Sequence, residues 1–145
     1  MYNTIIVGYD GSDRALRAVE KAADLAASLG STMHIVTAVP KDELHDFGAS
    51  SDRRVMSDIE LARDMLFNVA TKFTHLNVTV AAVKGSPATV LVSEAERLDA
   101  GVIVVGNKNV QGLRSIMGNV AEGVAHKAPC DVLIADTADS DEAEV

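Results

Sequence analysis

Val104-Val105-Gly106-Asn107-Lys108-Asn109-Val110-Gln111-Gly112-Leu113-Arg114-Ser115-Ile116-Met117-Gly118-Asn119-Val120 decides how this chain is read. Gly101 to Val105 is an apolar, β-branched run. Glycine and short amide residues follow it, and then apolar residues return at helical spacing. A strand passing through such a turn into a helix is one unit of an open α/β sheet, and these sheets hold ligands above the carboxyl ends of their strands. Glycine there lets backbone N–H groups approach an anion with no Cβ in the way. A plainer alternative leaves Gly106 as a tight turn and Asn107 and Asn109 as residues that accept left-handed geometry. Gly118-Asn119 is then a helix-start device with Asn119 as N-cap.

Outward from this stretch the same unit recurs. Thr4 to Tyr9, Thr32 to Val39, Val78 to Val83, Val102 to Val105 and Val132 to Ala135 are short Val- or Ile-rich runs with little alternation, as expected of strands covered on both faces. Helical periodicity separates them. Asp13 to Leu29 repeats apolar residues at three- and four-residue spacing and stops at Gly30, and Val55 to Phe73 repeats the pattern. Ser86-Pro87 is an N-cap with an N1 proline, opening a helix that runs to Leu98, and Leu113 to His126 forms the last helix. The order βαβαβαβαβ specifies an α/β fold in which a parallel sheet carries helices on both faces. Pro40 to Ser51 reads as a polar surface connection. Asp136 to Val145, with five carboxylate side chains, reads as a solvated acidic tail, so the expected organisation is one domain over 1–137 and a tail over 138–145.

Composition bounds the function. The chain has 145 residues, is 48% hydrophobic and has a mean hydropathy of +0.14, which fits one packed domain. A net charge of −8 and a pI near 4.8 repel phosphate backbones, so nucleic acid is not an expected partner. A small anionic ligand would need local N–H groups and cations to overcome that field. With 3% aromatic residues and no tryptophan, stacking platforms are not expected. No apolar run approaches the ~20 residues that cross a bilayer, and the first apolar run is too short for a signal peptide. The single cysteine, Cys130, cannot form an internal disulfide, so a cytoplasmic location away from membranes is the expectation.

The first strand ends in Gly8-Tyr9-Asp10-Gly11-Ser12-Asp13, which places Asp10 above the crevice. Two readings stay open. Asp10 bonds an adenine edge or a ribose hydroxyl, or it only shapes a loop in which Gly11-Ser12 turns and Ser12 caps the helix. Asp10 and the Gly106 loop on neighbouring strands together favour a ligand crevice. The histidines, His34, His45, His75 and His126, show no metal-ligand spacing. His126 is accounted for by the helix dipole and Cys130 as a small core residue. Neither a Gly-x-Ser-x-Gly elbow nor a P-loop occurs, so a non-enzymatic protein is expected.

Ile5-Ile6-Val7-Gly8-Tyr9-Asp10-Gly11-Ser12, Gly85-Ser86-Pro87, Val104-Val105-Gly106-Asn107-Lys108 and Ala128-Pro129-Cys130-Asp131-Val132-Leu133-Ile134 together resemble the universal stress protein family over residues 2–137. The resemblance implies a three-layer α/β/α sandwich, similar to the adenine nucleotide alpha hydrolases, whose five-stranded parallel sheet runs in the order 3-2-1-4-5. It implies a homodimer through the last strand and, for many members, an adenine-nucleotide ligand: ATP, with Mg accompanying it, or AMP or cyclic AMP. Carried over residue by residue, Asp10 with Gly8 takes the adenine side, Ala38 meets the base through its backbone, and Val105 and Gly106 make the ribose-side turn. Lys108, Asn109, Gly118, Asn119 and Val120 fall on the phosphate-binding positions.

Nucleotide-binding members carry Gly-x-x-Gly, nine residues, then Gly-Ser or Gly-Thr. Here Asn109 replaces the second glycine, eight residues (Val110 to Met117) precede Gly118, and Asn119 lacks a hydroxyl. Asparagine tolerates positive φ but adds a side chain beside the phosphate. The missing residue turns the following helix by about 100° unless Gly112 absorbs it. The expectation is an adenine-nucleotide-binding stress-response sensor or regulator without strong catalysis. The competing expectation is a nucleotide-free dimeric interaction protein that has lost binding.

Overall fold

The computed structural model describes residues 2–48, 54–107 and 114–137, the side chains of 114–119 excepted. The main sheet is built from β1 (Thr4–Gly8), β2 (Thr32–Val39), β5 (Val78–Lys84), β6 (Val102–Gly106) and β7 (Asp131–Ala135). Its spatial order is β5-β2-β1-β6-β7 and all its pairings are parallel. This is the 3-2-1-4-5 order of an α/β/α sandwich, with the switch point between β1 and β6.

Successive residues of the central strands feed opposite cores. Ile5, Val7, Met33, Ile35, Val102 and Val104 point to one face, against Ala18, Val19, Ala22 and Ala26 of α1 (Asp13–Leu29) and Leu66 and Val69 of α2 (Asp58–Ala70). Ile6, Val36, Ile103 and Val105 point to the other, against Val90, Leu91 and Ala95 of α3 (Pro87–Leu98) and Ala121 and Val124 of α4 (Arg114–Lys127). Burial on both faces is why these strands are apolar without alternating. The helix signals act as expected at α1, where Ser12 caps the start and Gly30 ends it at φ 66°. Cys130 packs half-buried beside the α3/α4 core, and burial pushes its thiol pKa up.

On the α3 face of the sheet lies a buried polar network. His34 on β2 and Glu94 on α3 are 3% and 5% exposed, and the imidazole Nε2–H donates to Glu94 Oε1 at 2.9 Å. Nδ1 lies 2.6 Å from the Thr79 hydroxyl. Arg97 donates through Nε and Nη2 to both Glu94 oxygens, at 2.8 and 2.9 Å. The Arg97 guanidinium, and after it His34, holds the Glu94 carboxyl at a pKa of about 2 despite its burial.

Several expectations are corrected. The 40–51 connection is not structureless, because Leu44–Asp46 (β3) pairs antiparallel with Val55–Ser57 (β4). The second helix therefore starts at Asp58, not Val55. Ser57 is its true N-cap, in a capping box with Glu60. Asp58 also accepts from the Glu43 N–H at 2.9 Å and His45 Nε2–H at 2.7 Å, clipping the hairpin to the helix. Gly118 and Asn119 are not a helix start, since α4 runs through both from Arg114. The tail is not solvated from Asp136, since Thr137 is fully buried. Residues 138–145 lie outside the described residues.

Candidate functional site

Above the carboxyl ends of β1, β2 and β6 a cavity of about 320 Å³ opens. Its walls include Gly8, Asp10, Ala38, Val105, Gly106 and Val120, drawn together from all three strands and α4. Sequence reasoning placed all six at a nucleotide. Lys108 and Asn109 lie outside the described residues, and Gly118 and Asn119 fall within α4, where the backbone alone is described.

The β1 side is set by local chemistry. The Tyr9 N–H donates to Val36 C=O at 2.9 Å, and the Thr37 hydroxyl donates to Tyr9 C=O at 2.8 Å, which fixes the strand end against β2. Gly11 then turns the chain at φ 88°. Asp10 Oδ1 accepts from the Ser12 N–H at 3.0 Å and the Ser12 hydroxyl at 2.6 Å, while Ser12 Oγ accepts from the Ala15 N–H at 3.1 Å. Asp10 thus shapes the loop, and it also lines the cavity. Tyr9 also lines the cavity, and burial, then Asp10 and Asp13, push its pKa up, so its hydroxyl stays protonated at neutral pH.

The β6 side is set by a distant segment. The Asn107 N–H donates to Ala135 C=O at 2.9 Å, and Asn107 Oδ1 accepts from the Thr137 N–H and hydroxyl at 2.8 and 3.1 Å. Arg17 Nε–H donates to Thr137 C=O at 2.5 Å. A Cβ on Gly106 would lie 2.9 Å from Thr137 Cγ2, so any larger residue there would force Thr137 to shift. Thr137 forms part of the cavity wall. Sequence reasoning missed it, together with Arg14, Ala15, Pro87 and Leu91. Thr137 was findable in principle: it stands two residues past Ala135, which is in register with Gly106. Arg14 was findable as the residue four beyond Asp10, at the start of a helix that opens at the crevice.

Histidine, lysine and cysteine are absent from the described lining, and Ser12 Oγ is held as a cap. Among the described residues no group of three or more His, Cys, Asp or Glu could hold a metal ion.

The Universal stress protein family matches residues 1–136 by its sequence profile. The chain belongs to the universal stress protein family. Universal stress protein Rv1636 of Mycobacterium tuberculosis is 29% identical over 146 residues, covering 94% of this chain and 97% of that protein. Universal stress protein A homolog 2 of Coxiella burnetii is 33% identical over 130 residues, covering 84% of each. Among solved structures, a universal stress protein in complex with cAMP superposes with a TM-score of 0.73 at 29% identity, over 94% of this chain and 98% of that one. The universal stress protein of Archaeoglobus fulgidus in complex with dAMP does so with a TM-score of 0.64 at 25% identity, over 92% and 97%. No helix among the described residues is long and apolar enough to cross a membrane.

Proposed function

We propose that this universal stress protein binds an adenine nucleotide in the β1/β2/β6 cavity and acts as a stress-response sensor or regulator rather than as a catalyst. One observation carries the reading: a single cavity gathers Asp10, Ala38, Gly106 and Val120 from separate strands and helices, at the switch point where open sheets bind ligands. The cAMP and dAMP complexes of relatives support the ligand class. AMP and cyclic AMP suit the described walls better than ATP with magnesium. Asp10 is the one carboxylate there, and its Oδ1 already serves Ser12. Among the described residues the lining holds no histidine, lysine or cysteine, which favours binding over hydrolysis. A lone thiol that cannot form an internal disulfide fits the cytoplasm.

Calorimetry with AMP, cyclic AMP and ATP, with and without magnesium, tests this. Saturable binding that Asp10→Ala weakens is expected. At 100 times its Kd the ligand should add about 2.7 kcal/mol to stability. Silence with every adenine nucleotide would defeat the proposal.

A second reading, a nucleotide-free dimeric interaction protein, is favoured by Thr137 packing over Gly106 and engaging Asn107. Under either reading we propose a homodimer through β7. It is an edge strand, and Leu133 and Ile134 are 42% and 53% exposed on it. Sedimentation of the wild type as a dimer, and of Ile134→Lys as a monomer, is the expected result.

A further inference from the structure

We infer that Arg14 is a specificity residue that reads the negative charge of the ligand in this cavity, so that the site prefers a phosphorylated nucleoside to the free nucleoside. The inference rests on the proposed nucleotide reading.

The described cavity wall carries two formally charged side chains, Asp10 and Arg14, among glycine, alanine, aliphatic and hydroxyl residues. Arg14 is the second residue of α1, and the Asp10–Ser12 turn and the Ser12 cap fix the start of that helix. Its side chain contributes to the cavity wall, with Nη1 shielded from solvent by the surrounding protein. A guanidinium does not discharge at any physiological pH, and its planar fork matches two oxygens of a phosphate. At a net charge of −8 the molecule as a whole repels anions, and a cation inside a mostly apolar wall is what offsets that field locally.

The other side of the cavity makes this contribution more consequential. Asn107 spends its N–H on Ala135 and its side-chain oxygen on Thr137, and Thr137 stands against Gly106. Those groups face the protein's own carboxyl-terminal segment. Asn109 and Asn119 stand where nucleotide-binding relatives have glycine and a hydroxyl. Among the described residues of the wall Arg14, on the α1 side, is the one cationic side chain, and it supplies the discrimination for charge there.

The test is the ratio of affinities for AMP and adenosine, measured by calorimetry on the full chain. The wild type should bind AMP more tightly, with a preference that shrinks as salt rises. Arg14→Gln removes the charge and the fork and leaves a shorter, neutral amide. It should weaken AMP roughly 10- to 100-fold while adenosine binding stays within about twofold. Arg14→Lys, which keeps the charge and loses the fork, should fall between. Ligand-free thermal unfolding of each variant separates this effect from misfolding. If Arg14→Gln is folded and its AMP-to-adenosine ratio equals that of the wild type, Arg14 serves only the protein's own carboxylates and the inference fails alone. A wild type that binds AMP no more tightly than adenosine also overturns it alone. A wild type that binds neither overturns the nucleotide reading and this inference together.

Discussion

The turns after β1 and after β6 face each other across one cavity, yet they are held in opposite ways. The β1 turn is closed by bonds within the six residues Asp10 to Ala15 and by the neighbouring strand β2. After β6, Asn107 is held by Ala135 and Thr137, about thirty residues downstream. A locally closed wall depends on the chemistry of its own side chains. A wall closed at a distance depends on the strand that delivers the closing residue, and here that strand is the sheet's exposed edge.

Changes that set the two walls against each other rank by size. The scale is given by α3, whose amino-terminal end contributes Pro87, Val90 and Leu91 to the floor beneath both turns. Glu94→Ala strips His34 and Arg97 of their shared carboxylate and should cost about 3 kcal/mol in urea unfolding. Its pH signature is distinct. The folded pKa of Glu94 lies near 2, below the ordinary 4.5, so its stabilisation is complete above about pH 4.5 and is lost as the pH falls toward 2. The acid slope of stability between those values should flatten in Glu94→Gln.

Next, Gly106→Val forces a branched side chain into the space that Thr137 occupies and should cost about 2 kcal/mol. It should also loosen the β6 wall without touching the β1 turn, seen as faster amide exchange at Asn107 with Ala15 unchanged. Ser12→Ala removes the α1 cap for about 1 kcal/mol, with the opposite exchange pattern. Smallest is Thr137→Val, which keeps the shape and loses the hydroxyl bond to Asn107, at roughly 0.5–1 kcal/mol. If Ser12→Ala and Gly106→Val accelerate exchange on both walls alike, the two turns are one cooperative unit and the contrast between them is lost.

The same contrast explains what could be read from the chain alone. Asp13–Leu29 and Thr32–Val39 match their sequence boundaries because helical periodicity, a left-handed glycine and a β-branched run each act over a few residues. Gly8, Asp10, Ala38, Val105, Gly106 and Val120 were legible at the site because strand ends and family motifs are local strings. The β3–β4 hairpin was not. Its strands are three residues each, and Val55-Met56 continue the apolar spacing of the helix that follows. The capping box Ser57-x-x-Glu60 was the missed boundary mark. The pairing of His34 with Glu94, sixty residues apart, and the burial of Thr137 within an acidic stretch of sequence left no periodic trace, because each arises from tertiary register.

Thr137 gives the fold a mechanical linkage. The segment that could dock a second copy along β7 also supplies the lintel over Gly106. Pulling that segment outward, by strand pairing, by clipping the backbone near Asp136 or by a bulky carboxy-terminal fusion, would therefore register at the cavity mouth. An affinity measured on a protein altered at that end would report on the lintel as much as on the binding pocket.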